Sequence, residues 1–215
     1  MNPETPDSGR DRVLVQLKTH GPQTAARVGK RLNVTAMAVR QHLSVLQGEG
    51  AVDFTDERRK VGRPARVWKL TPKANDRFPD SHAELAVDML QAIQSASGEE
   101  GLERLTAERT RKQVESYRAR MPSRDRSLEE RVAALARIRR EEGYMAECTR
   151  VLDGTIELVE NHCAISKAAH ACPTLCDGEL TLFREALGDR VTVERIEHML
   201  RGDRRCTFRI LVEPV

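Results

Sequence analysis

Four of the five cysteines in this chain fall within 44 residues, and any fold of its C-terminal part has to accommodate them. Eight residues separate the first from the second, three separate the second from the third, and twenty-nine lead to the fourth. In a reducing compartment, clustered cysteines indicate metal or redox chemistry more often than structural disulfides. We therefore expect a metal-binding or redox site on Cys163, Cys172, Cys176 and Cys206.

Length and composition limit the class of protein to which this chain can belong. At 215 residues the chain is long enough for two small domains, and 32% charged with 3% aromatic residues is typical of a soluble, helix-rich protein. No apolar run approaches the roughly 18–20 residues that span a bilayer, and the polar N-terminus lacks the apolar segment of a signal peptide. We expect a cytoplasmic protein without a membrane partner.

Basic residues concentrate at the N-terminal end. Residues 1–75 carry 14 Lys or Arg against 7 Asp or Glu, whereas residues 76–215 carry 22 against 26. A basic N-terminal segment followed by a mildly acidic remainder indicates that the N-terminal end binds a polyanion.

Three short helices are predicted in the basic segment. The first runs over about 10–19, Thr24 caps the second, and Thr35 caps the third after a tight turn at Asn33. The apolar residues recur at helical spacing and predict the core-facing positions Val13, Leu14, Leu17, Ala25, Val28, Leu32, Val39, Leu43 and Leu46. Helices two and three with this turn form a helix-turn-helix.

Two strands at 51–54 and 66–70 follow, joined by a basic tip, so the domain is a winged helix-turn-helix. In this fold the third helix enters the major groove, where arginine suits guanine or phosphate and glutamine suits adenine. The predicted DNA contacts are Thr35, Met37, Ala38, Arg40 and Gln41 on the helix, and Arg58, Arg59, Lys60 and Arg63 on the wing. The alternative is a winged helix that binds a protein through ordinary solvated charges.

A linker at 71–81 leads to three helical segments that end near residue 142. The first carries Leu85, Met89 and Ile93 on one face and ends near Gly98. The third carries an apolar stripe formed by Val132, Leu135 and Ile138. Long amphipathic helices between a winged head and a sensor favour a dimer interface with a second copy. The alternative is that these stripes pack within one chain.

The C-terminal part, from about Gly143, mixes strands and helices. An Asp-Gly pair between two apolar runs is a strong hairpin signal, and a second hairpin is expected across Gly202-Asp203. The predicted strands are 145–151, 155–159, 190–200 and 206–212, with helices near 166–170 and 177–187. We expect an α+β domain in which both helices lie on one face of the sheet.

Thiolates bind soft or borderline metals, so four of them suit an iron–sulfur cluster or a zinc ion. Cys172 and Cys176 lie at a predicted helix start, where the helix dipole favours the thiolate form. Zinc ribbons favour paired C-x2-C knuckles, which this sequence lacks. A cluster is the preferred interpretation, with zinc or a metal-free disulfide switch as alternatives. Cys148 stands apart, and we expect it to be a small buried hydrophobe.

These residues resemble the SufR group of regulators, which are related to the DeoR/ArsR-like winged-helix repressors. The resemblance is carried by the helix from Thr35 to Leu43, the wing sequence Gly62-Arg-Pro-Ala65, the spacing Cys163-x12-Cys176, and Gly202-Asp-x-x-Cys206. It implies a homodimer with one [4Fe–4S] cluster per subunit. It further implies that the cluster-bound form binds an inverted repeat in double-stranded DNA and represses iron–sulfur assembly genes.

The resemblance also implies a ligand set. By position, Cys163, Cys176 and Cys206 match the expected cluster ligands, and Cys172, from the same loop, is our choice for the fourth.

The combined prediction is an α+β protein: a winged helix-turn-helix domain, central dimerising helices and a cysteine-rich sensor. Its segments are 1–9 (disordered), 10–75 (DNA-binding), 76–142 (linker and dimerisation) and 143–215 (sensor). The predicted function is a transcriptional regulator controlled by a [4Fe–4S] cluster; the alternative is a zinc-binding or thiol-redox-switch winged-helix regulator. No nucleophile–base pair, phosphate-binding glycine loop or paired carboxylates stand out in the sequence, so we predict neither an enzyme nor a small-molecule substrate.

Overall fold

The computed structural model describes residues 8–58, 64–151, 154–188 and 190–212. The chain divides between Asp80 and Ser81 into two compact units, and each has its own hydrophobic core. Helices and strands occur in both units, which confirms the α+β class. Among the described residues, no helix combines the length and apolar composition that crossing a bilayer needs.

The first unit contains three helices and a small sheet. The helices are α1 (Gly9–His20), α2 (Ala25–Leu32) and α3 (Ala36–Gly48), and the strands are β1 (Gln23–Thr24), β2 (Val52–Glu57) and β3 (Ala65–Leu70). The antiparallel sheet has the order β1-β3-β2, and a 3-10 helix, Pro72–Arg77, follows. This is the predicted winged helix-turn-helix.

Local sequence signals set the helix boundaries in this unit. The side chains of Ser8, Thr24 and Thr35 each accept a hydrogen bond from a backbone N–H in the first turn of the helix that follows, which satisfies a donor that has no partner within the helix. Asn33 adopts the left-handed conformation, with φ of 54°, in the turn between α2 and α3. Of the predicted disordered segment, 1–9, Ser8 therefore caps α1 and Gly9 begins it, and residues 1–7 lie outside the described residues.

The apolar positions predicted from helical spacing form the core of the first unit. Val39, Leu43 and Leu46 of α3 are fully buried, and they pack with apolar residues of α1 and α2. Trp68 of the wing closes this core and contacts the ring of Phe54, with ring centroids 5.0 Å apart. The predicted orientation of α3 is therefore confirmed.

The second unit has four helices and a four-stranded sheet. The helices are α4 (His82–Arg120), α5 (Leu128–Glu141), α6 (Ser166–Ala171) and α7 (Thr174–Leu187). The strands are β4 (Ala146–Arg150), β5 (Ile156–Glu160), β6 (Val191–Glu197) and β7 (Cys206–Val212). All neighbouring strands are antiparallel, in the order β4-β5-β7-β6. Both predicted hairpins are present, although residues 152–153 of the first turn lie outside the described residues.

Gly98 interrupts α4, with φ of 67° and ψ of −169°. This backbone conformation is accessible essentially only to glycine. The long helix is therefore two helical segments, and the predicted end near Ser97-Gly98 is confirmed. Nothing lies within 4 Å of the place where a Cβ would be, so the break reflects backbone conformation rather than crowding.

The apolar stripe of α5 packs inside the second unit. Val132, Leu135 and Ile138 are fully buried against the second segment of α4, α7 and one face of the sheet. For this stripe, packing within one chain replaces the expected contact with a second copy, because the sheet itself offers an apolar face. The first segment of α4 differs, since Leu85 and Met89 remain 55% and 58% exposed.

Candidate nucleic-acid interface and cysteine site

The outward face of α3 carries the predicted base-contacting residues. Met37 is 63% exposed, Arg40 and Gln41 are exposed, and Ala38 is half-buried. Thr35 is also exposed while its hydroxyl accepts the capping hydrogen bond from the Ala38 N–H at 3.1 Å. The burial of the opposite face holds these side chains outward, so α3 can present them to a groove of DNA.

The wing is described in part. Arg58 follows β2 and is exposed, whereas the predicted contacts Arg59, Lys60 and Arg63 lie outside the described residues. Arg66, on β3, was missed by the sequence analysis. Its guanidinium carbon lies 3.7 Å from the centroid of the Phe54 ring, a cation–π contact that orients the side chain.

A cleft separates α3 from the wing. Arg40, Ser44 and Gln47 line it from α3, and Pro64, Ala65 and Arg66 line it from the wing. Ser44 and Gln47 follow Arg40 by four and seven residues, so helical spacing could have placed them on its face. Two arginines with hydroxyl and amide groups are the chemistry that binds phosphate oxygens.

The four clustered cysteines occupy different elements of the second unit. Cys163 lies in the loop after β5, Cys172 follows the last residue of α6, Cys176 is in the first turn of α7, and Cys206 begins β7. Cys176 and Cys206 are buried, Cys163 is half-buried, and all five cysteines of the chain are free thiols. Cys148 is half-buried at the edge of the core, which partly matches its expected apolar role.

Three of the thiols lie near one another. Burial is the main cause of the raised pKa of the Cys176 thiol, and the thiols of Cys163 and Cys206 add to it. The backbone N–H of Met199 donates to the Cys206 Sγ at 3.5 Å. Cys163, Cys176 and Cys206 therefore lie in one region of the second unit, on a loop, a helix and a strand, and we refer to them as the three-thiol site.

Cys172 lies in a separate apolar cluster. Its side chain, 1% exposed, packs with Leu102 and Leu175, and its Sγ lies 3.0 Å from the Thr174 hydroxyl. Its assignment as a fourth ligand stays a prediction.

Two buried carboxylates and one arginine adjoin the three-thiol site. Arg139 is fully buried, and its Nε and one terminal nitrogen donate to the two oxygens of Glu160 at 2.5 and 3.1 Å. The same terminal nitrogen donates to Glu179 Oε1 at 2.6 Å. The guanidinium carbon lies 3.3 Å from the centroid of the Tyr144 ring. We call Arg139, Glu160 and Glu179 the buried charge cluster.

The electrostatics of the site keep its thiols protonated in the metal-free chain. Burial raises the pKa of Cys176 to about 12, and the Glu179 carboxylate adds to the shift. Burial is also the main cause of the raised pKa of Cys163 and of Cys206, and Glu160 and Glu179 contribute at both. The expectation that the helix start favours a Cys176 thiolate was therefore wrong for this form, because loss of hydration outweighs the helix dipole.

The sequence analysis missed the buried charge cluster, although one signal pointed to part of it. Arg139 follows Leu135 by four residues and Val132 by seven, which places a charge on the apolar stripe of α5. An arginine at such a position is rarely buried without partners. The identity of those partners depends on the pairing of distant elements and carries no local signal.

Within the described ranges, no three His, Cys, Asp or Glu side chains are arranged so that they could hold a single metal ion. The identity of any group on the three-thiol site therefore stays a prediction.

Comparisons with known proteins give little further guidance. No protein-family model matches the chain, and no curated protein matches it. Among solved structures, a MarR family regulator from Neisseria meningitidis is similar at 21% identity, over 46% of this chain and 68% of that chain, with a TM-score of 0.28. At that TM-score the likeness establishes neither fold nor function. The resemblance to the SufR group stays a prediction.

Proposed function

We propose that the chain is a DNA-binding transcriptional regulator. The observation that carries the proposal is the winged helix-turn-helix with an outward face on α3, where Arg40 and Gln41 are exposed opposite a fully buried apolar stripe. The excess of basic residues in 1–75 supports a polyanionic partner. Arg40 and Arg66 in the cleft beside the wing suit backbone phosphates.

We propose further that the regulator is a homodimer that binds an inverted repeat in double-stranded DNA. Two-fold symmetric DNA sites have half-sites about 34 Å apart, so two recognition helices from two copies bind one operator. Leu85 and Met89, exposed one helical turn apart on α4, are the residues proposed to meet the second copy.

The three-thiol site is proposed to hold a [4Fe–4S] cluster. The support is the donor set, since three free cysteines from separate elements lie in one region of the second unit and thiolates are the usual ligands of such clusters. When bound, the cluster would supply a centre that oxidants and nitric oxide can damage. Cys163, Cys176 and Cys206 would then link three elements of the second unit, namely the loop after β5, helix α7 and strand β7.

Filling this site would release protons. Metal ligands must lose their protons, so the raised thiol pKa values mean that protons leave these cysteines when the site is filled. Arg139 holds the two neighbouring carboxylates in place through its hydrogen bonds. Filling the site would favour one conformation of the second unit, and a difference of a few kcal/mol suffices to change DNA affinity.

The regulated genes are proposed from the resemblance described above. In the cluster-bound form the protein represses iron–sulfur assembly genes, and loss of the cluster relieves repression. Competing proposals keep the DNA-binding unit and place zinc, or a metal-free disulfide switch, on the cysteines.

Anaerobic purification with iron, sulfide and zinc analysis tests the cofactor. We expect a brown protein with an absorption band near about 400 nm and matched iron and sulfide. Cys163→Ala, Cys176→Ala and Cys206→Ala should each lose the iron and the dependence of DNA binding on it. Cys148→Ala, on β4, is the matched control and should keep both. A colourless protein with zinc, or variants that retain iron, would overturn the cluster proposal and leave the DNA-binding proposal standing.

A separate binding assay tests the DNA-binding surface. Arg40→Ala should weaken binding to the operator by about 1–3 kcal/mol, because one arginine contact with a base or phosphate contributes about that much to the binding free energy. Arg10→Ala is the control, since Arg10 is on α1 and pairs with Glu49 at 3.1 Å. Equal affinities for Arg40→Ala and the parent protein, or no loss of affinity with rising salt, would contradict DNA binding by α3.

A further inference from the structure

A pocket of about 420 Å³ lies in the second unit, between α7, the edge strand β6 and the 3-10 helix Met199–Arg201 that follows it. Three arginines line it, namely Arg184 from α7, Arg195 from β6 and Arg201 from the 3-10 helix. The other titratable residues that line it are Asp177, Glu194 and His198. Pockets of roughly 300–1,000 Å³ are the size at which proteins bind small molecules. We refer to this space as the three-arginine pocket.

Two of the three arginines are held in place by backbone carbonyls. A terminal nitrogen of Arg184 donates to the Val193 carbonyl at 2.9 Å, which joins α7 to β6. A terminal nitrogen of Arg195 donates to the Cys176 carbonyl at 2.5 Å. The guanidinium carbon of Arg195 also lies 5.2 Å from the centroid of the Phe208 ring. These uncharged partners orient the guanidinium groups and leave their positive charges without a counterion.

Arg195 also has a hydrogen-bond donor that is not used. Its Nε is buried and has no hydrogen-bond partner among the described residues. Its other terminal nitrogen lies 3.5 Å from Nε2 of the His198 ring. A buried donor without an acceptor is unfavourable, so a ligand oxygen that reached this nitrogen would be bound with a gain in free energy.

Positive charge exceeds negative charge in the three-arginine pocket. None of its arginines forms an ion pair with a described carboxylate, whereas Arg205, close by in the chain, pairs with Glu197 at 2.6 Å. Glu194 follows a core-facing residue of β6, so its side chain projects toward the opposite face of the sheet, where Arg209 is its cross-strand partner. Asp177 is therefore the carboxylate that remains on the side of the three arginines.

This excess of charge indicates the class of ligand. Three guanidinium groups and the single carboxylate of Asp177 leave two positive charges unbalanced. A phosphate group carries a charge of about −1.5 to −2 near pH 7 and has three acceptor oxygens, whereas a carboxylate carries one charge and has two oxygens. The planar guanidinium of arginine can donate two parallel hydrogen bonds to a phosphate group.

We propose that the three-arginine pocket binds a phosphate group, as inorganic phosphate or as part of a small phosphorylated molecule. Arg195 would donate to it through Nε, and Arg184 and Arg201 would balance its charge. The pocket lies in the second unit, apart from the outward face of α3, and its binding of phosphate requires neither DNA nor a metal cofactor. Arg195 links the pocket to the first turn of α7, which carries Cys176.

The test is isothermal titration calorimetry of the metal-free full chain with inorganic phosphate and with phenyl phosphate, at constant ionic strength. We expect saturable binding with a Kd of about 1 mM or lower. Arg195→Gln and Arg201→Gln should each weaken binding at least about tenfold, because each removes one guanidinium group from the pocket. Arg209→Gln, an equal change of charge on the other face of the sheet, and Arg40→Gln, in the first unit, are the matched controls and should keep the affinity.

A second measurement locates the phosphate without any substitution. In NMR spectra of the unsubstituted protein, the ring signals of His198 should shift during the phosphate titration, whereas those of His20, on α1, should not. The two ligands distinguish the source of the phosphate group. Tighter binding of phenyl phosphate would identify a phosphorylated molecule, for which Leu180 and Val193 offer apolar contacts, and an affinity no higher than that of inorganic phosphate would identify the free anion.

Three results would overturn the proposal. The first is no saturable binding of either ligand below about 10 mM, together with His198 signals that do not move. The second is an unchanged affinity in both Arg195→Gln and Arg201→Gln. The third is a loss of affinity in Arg40→Gln as large as in these variants, which would place the phosphate on the DNA-binding surface. Each of them leaves the proposed DNA binding by α3 intact.

Discussion

At the residue scale, Arg139 shows how one charge organises a protein interior. It occupies the apolar side of α5, yet its guanidinium is fully buried and bonds to carboxylates on β5 and α7. A buried ion pair adds little net stability compared with apolar groups of the same size, but removal of one partner leaves the others uncompensated. The residue therefore specifies how three elements meet.

Arg139→Ala should lower the free energy of unfolding of the second unit by about 3–5 kcal/mol, because Glu160 and Glu179 lose their shared partner. Chemical denaturation of the metal-free protein measures the change. Arg137→Ala is the control on the same helix, since Arg137 is 57% exposed and its contact with Glu141 is 3.8 Å long. That variant should change stability by less than about 1 kcal/mol. Similar losses in both variants would contradict the assigned role.

The Cys176 thiol should react slowly in the folded, metal-free protein. Burial raises its pKa from 9.0 to about 12, so at pH 8 its thiolate fraction is about a thousandfold lower than in the unfolded chain. Alkylation by iodoacetamide, followed by mass spectrometry of the Cys176 peptide, measures the two rates. The folded rate should still rise tenfold per pH unit between 9 and 11, where the unfolded rate levels off.

The same shift has a consequence for stability. Between pH 9 and 12 the folded state binds more protons at Cys176 than the unfolded state does, so this residue's contribution to stability falls as the pH rises. Equal alkylation rates in the folded and unfolded protein would contradict the pKa shift.

At the element scale, backbone conformation decides where helices begin, break and end. Thr24 and Thr35 cap their helices, Asn33 turns between them, and Gly98 divides α4 with a positive φ. Each is a local effect of the residue's own side chain, or of its absence. Such effects do not depend on the rest of the fold, and they account for the agreement between predicted and observed boundaries.

Gly98→Ala should destabilise the second unit by about 1–3 kcal/mol, because alanine in this conformation is strained while its Cβ meets no other atom. Thermal unfolding measures the change. Gly48→Ala is the matched control: its Cβ also meets nothing, but its backbone is helical, so it should stabilise the first unit by up to about 1 kcal/mol. A gain in stability from Gly98→Ala would contradict the assignment of a strained break.

The cysteine site shows the limit of local signals. Cys163, Cys172 and Cys176 are close together in the sequence. Their spacing does not predict which of their thiols face one another in the fold. Cys172 follows the last residue of α6 and packs with Leu102 of α4, whereas Cys176 is in α7, where the Cys206 thiol of β7 contributes to its raised pKa. The pairing of β5 with β7 places Glu160 opposite Cys206, and it joins residues 46 positions apart. The sequence has no local pattern for that pairing.

At the scale of the whole molecule, the division into two units separates the two proposed activities. The outward face of α3 belongs to the unit that ends at Asp80, and the three-thiol site belongs to the unit that begins at Ser81. The predicted middle and C-terminal segments share one core, in which α4 and α5 cover the sheet. The predicted dimerisation helices are therefore part of the second unit, together with the three-thiol site.

The second unit should fold without the first. A protein comprising residues 81–215 should unfold cooperatively and bind the same iron and sulfide per chain as the full protein, because its core and all three thiols lie within it. Circular dichroism and metal analysis measure both properties. Residues 1–80 should fold and bind DNA with an affinity that iron does not change. Failure of the isolated 81–215 segment to fold would contradict the independence of the two cores.

Leu85 and Met89 provide a test of the proposed dimer. Leu85→Asp and Met89→Asp should each shift sedimentation from dimer toward monomer, because a charge on a shared apolar face is unfavourable. Val15→Asp, on α1, is a control with a side chain 38% exposed, and it should leave the mass unchanged. Dimers that persist in both α4 variants would place the interface elsewhere.

The strand order of the second sheet has a consequence for biosynthesis. β7 lies between β5 and β6 in the sheet, carries Cys206, and is the last described element that a ribosome would make. Until residues through 212 have been synthesised, the sheet lacks an inner strand and the thiols of Cys163 and Cys176 lack their third member. The nascent protein would therefore have no complete site to receive a cofactor, and loading would have to follow translation of β7.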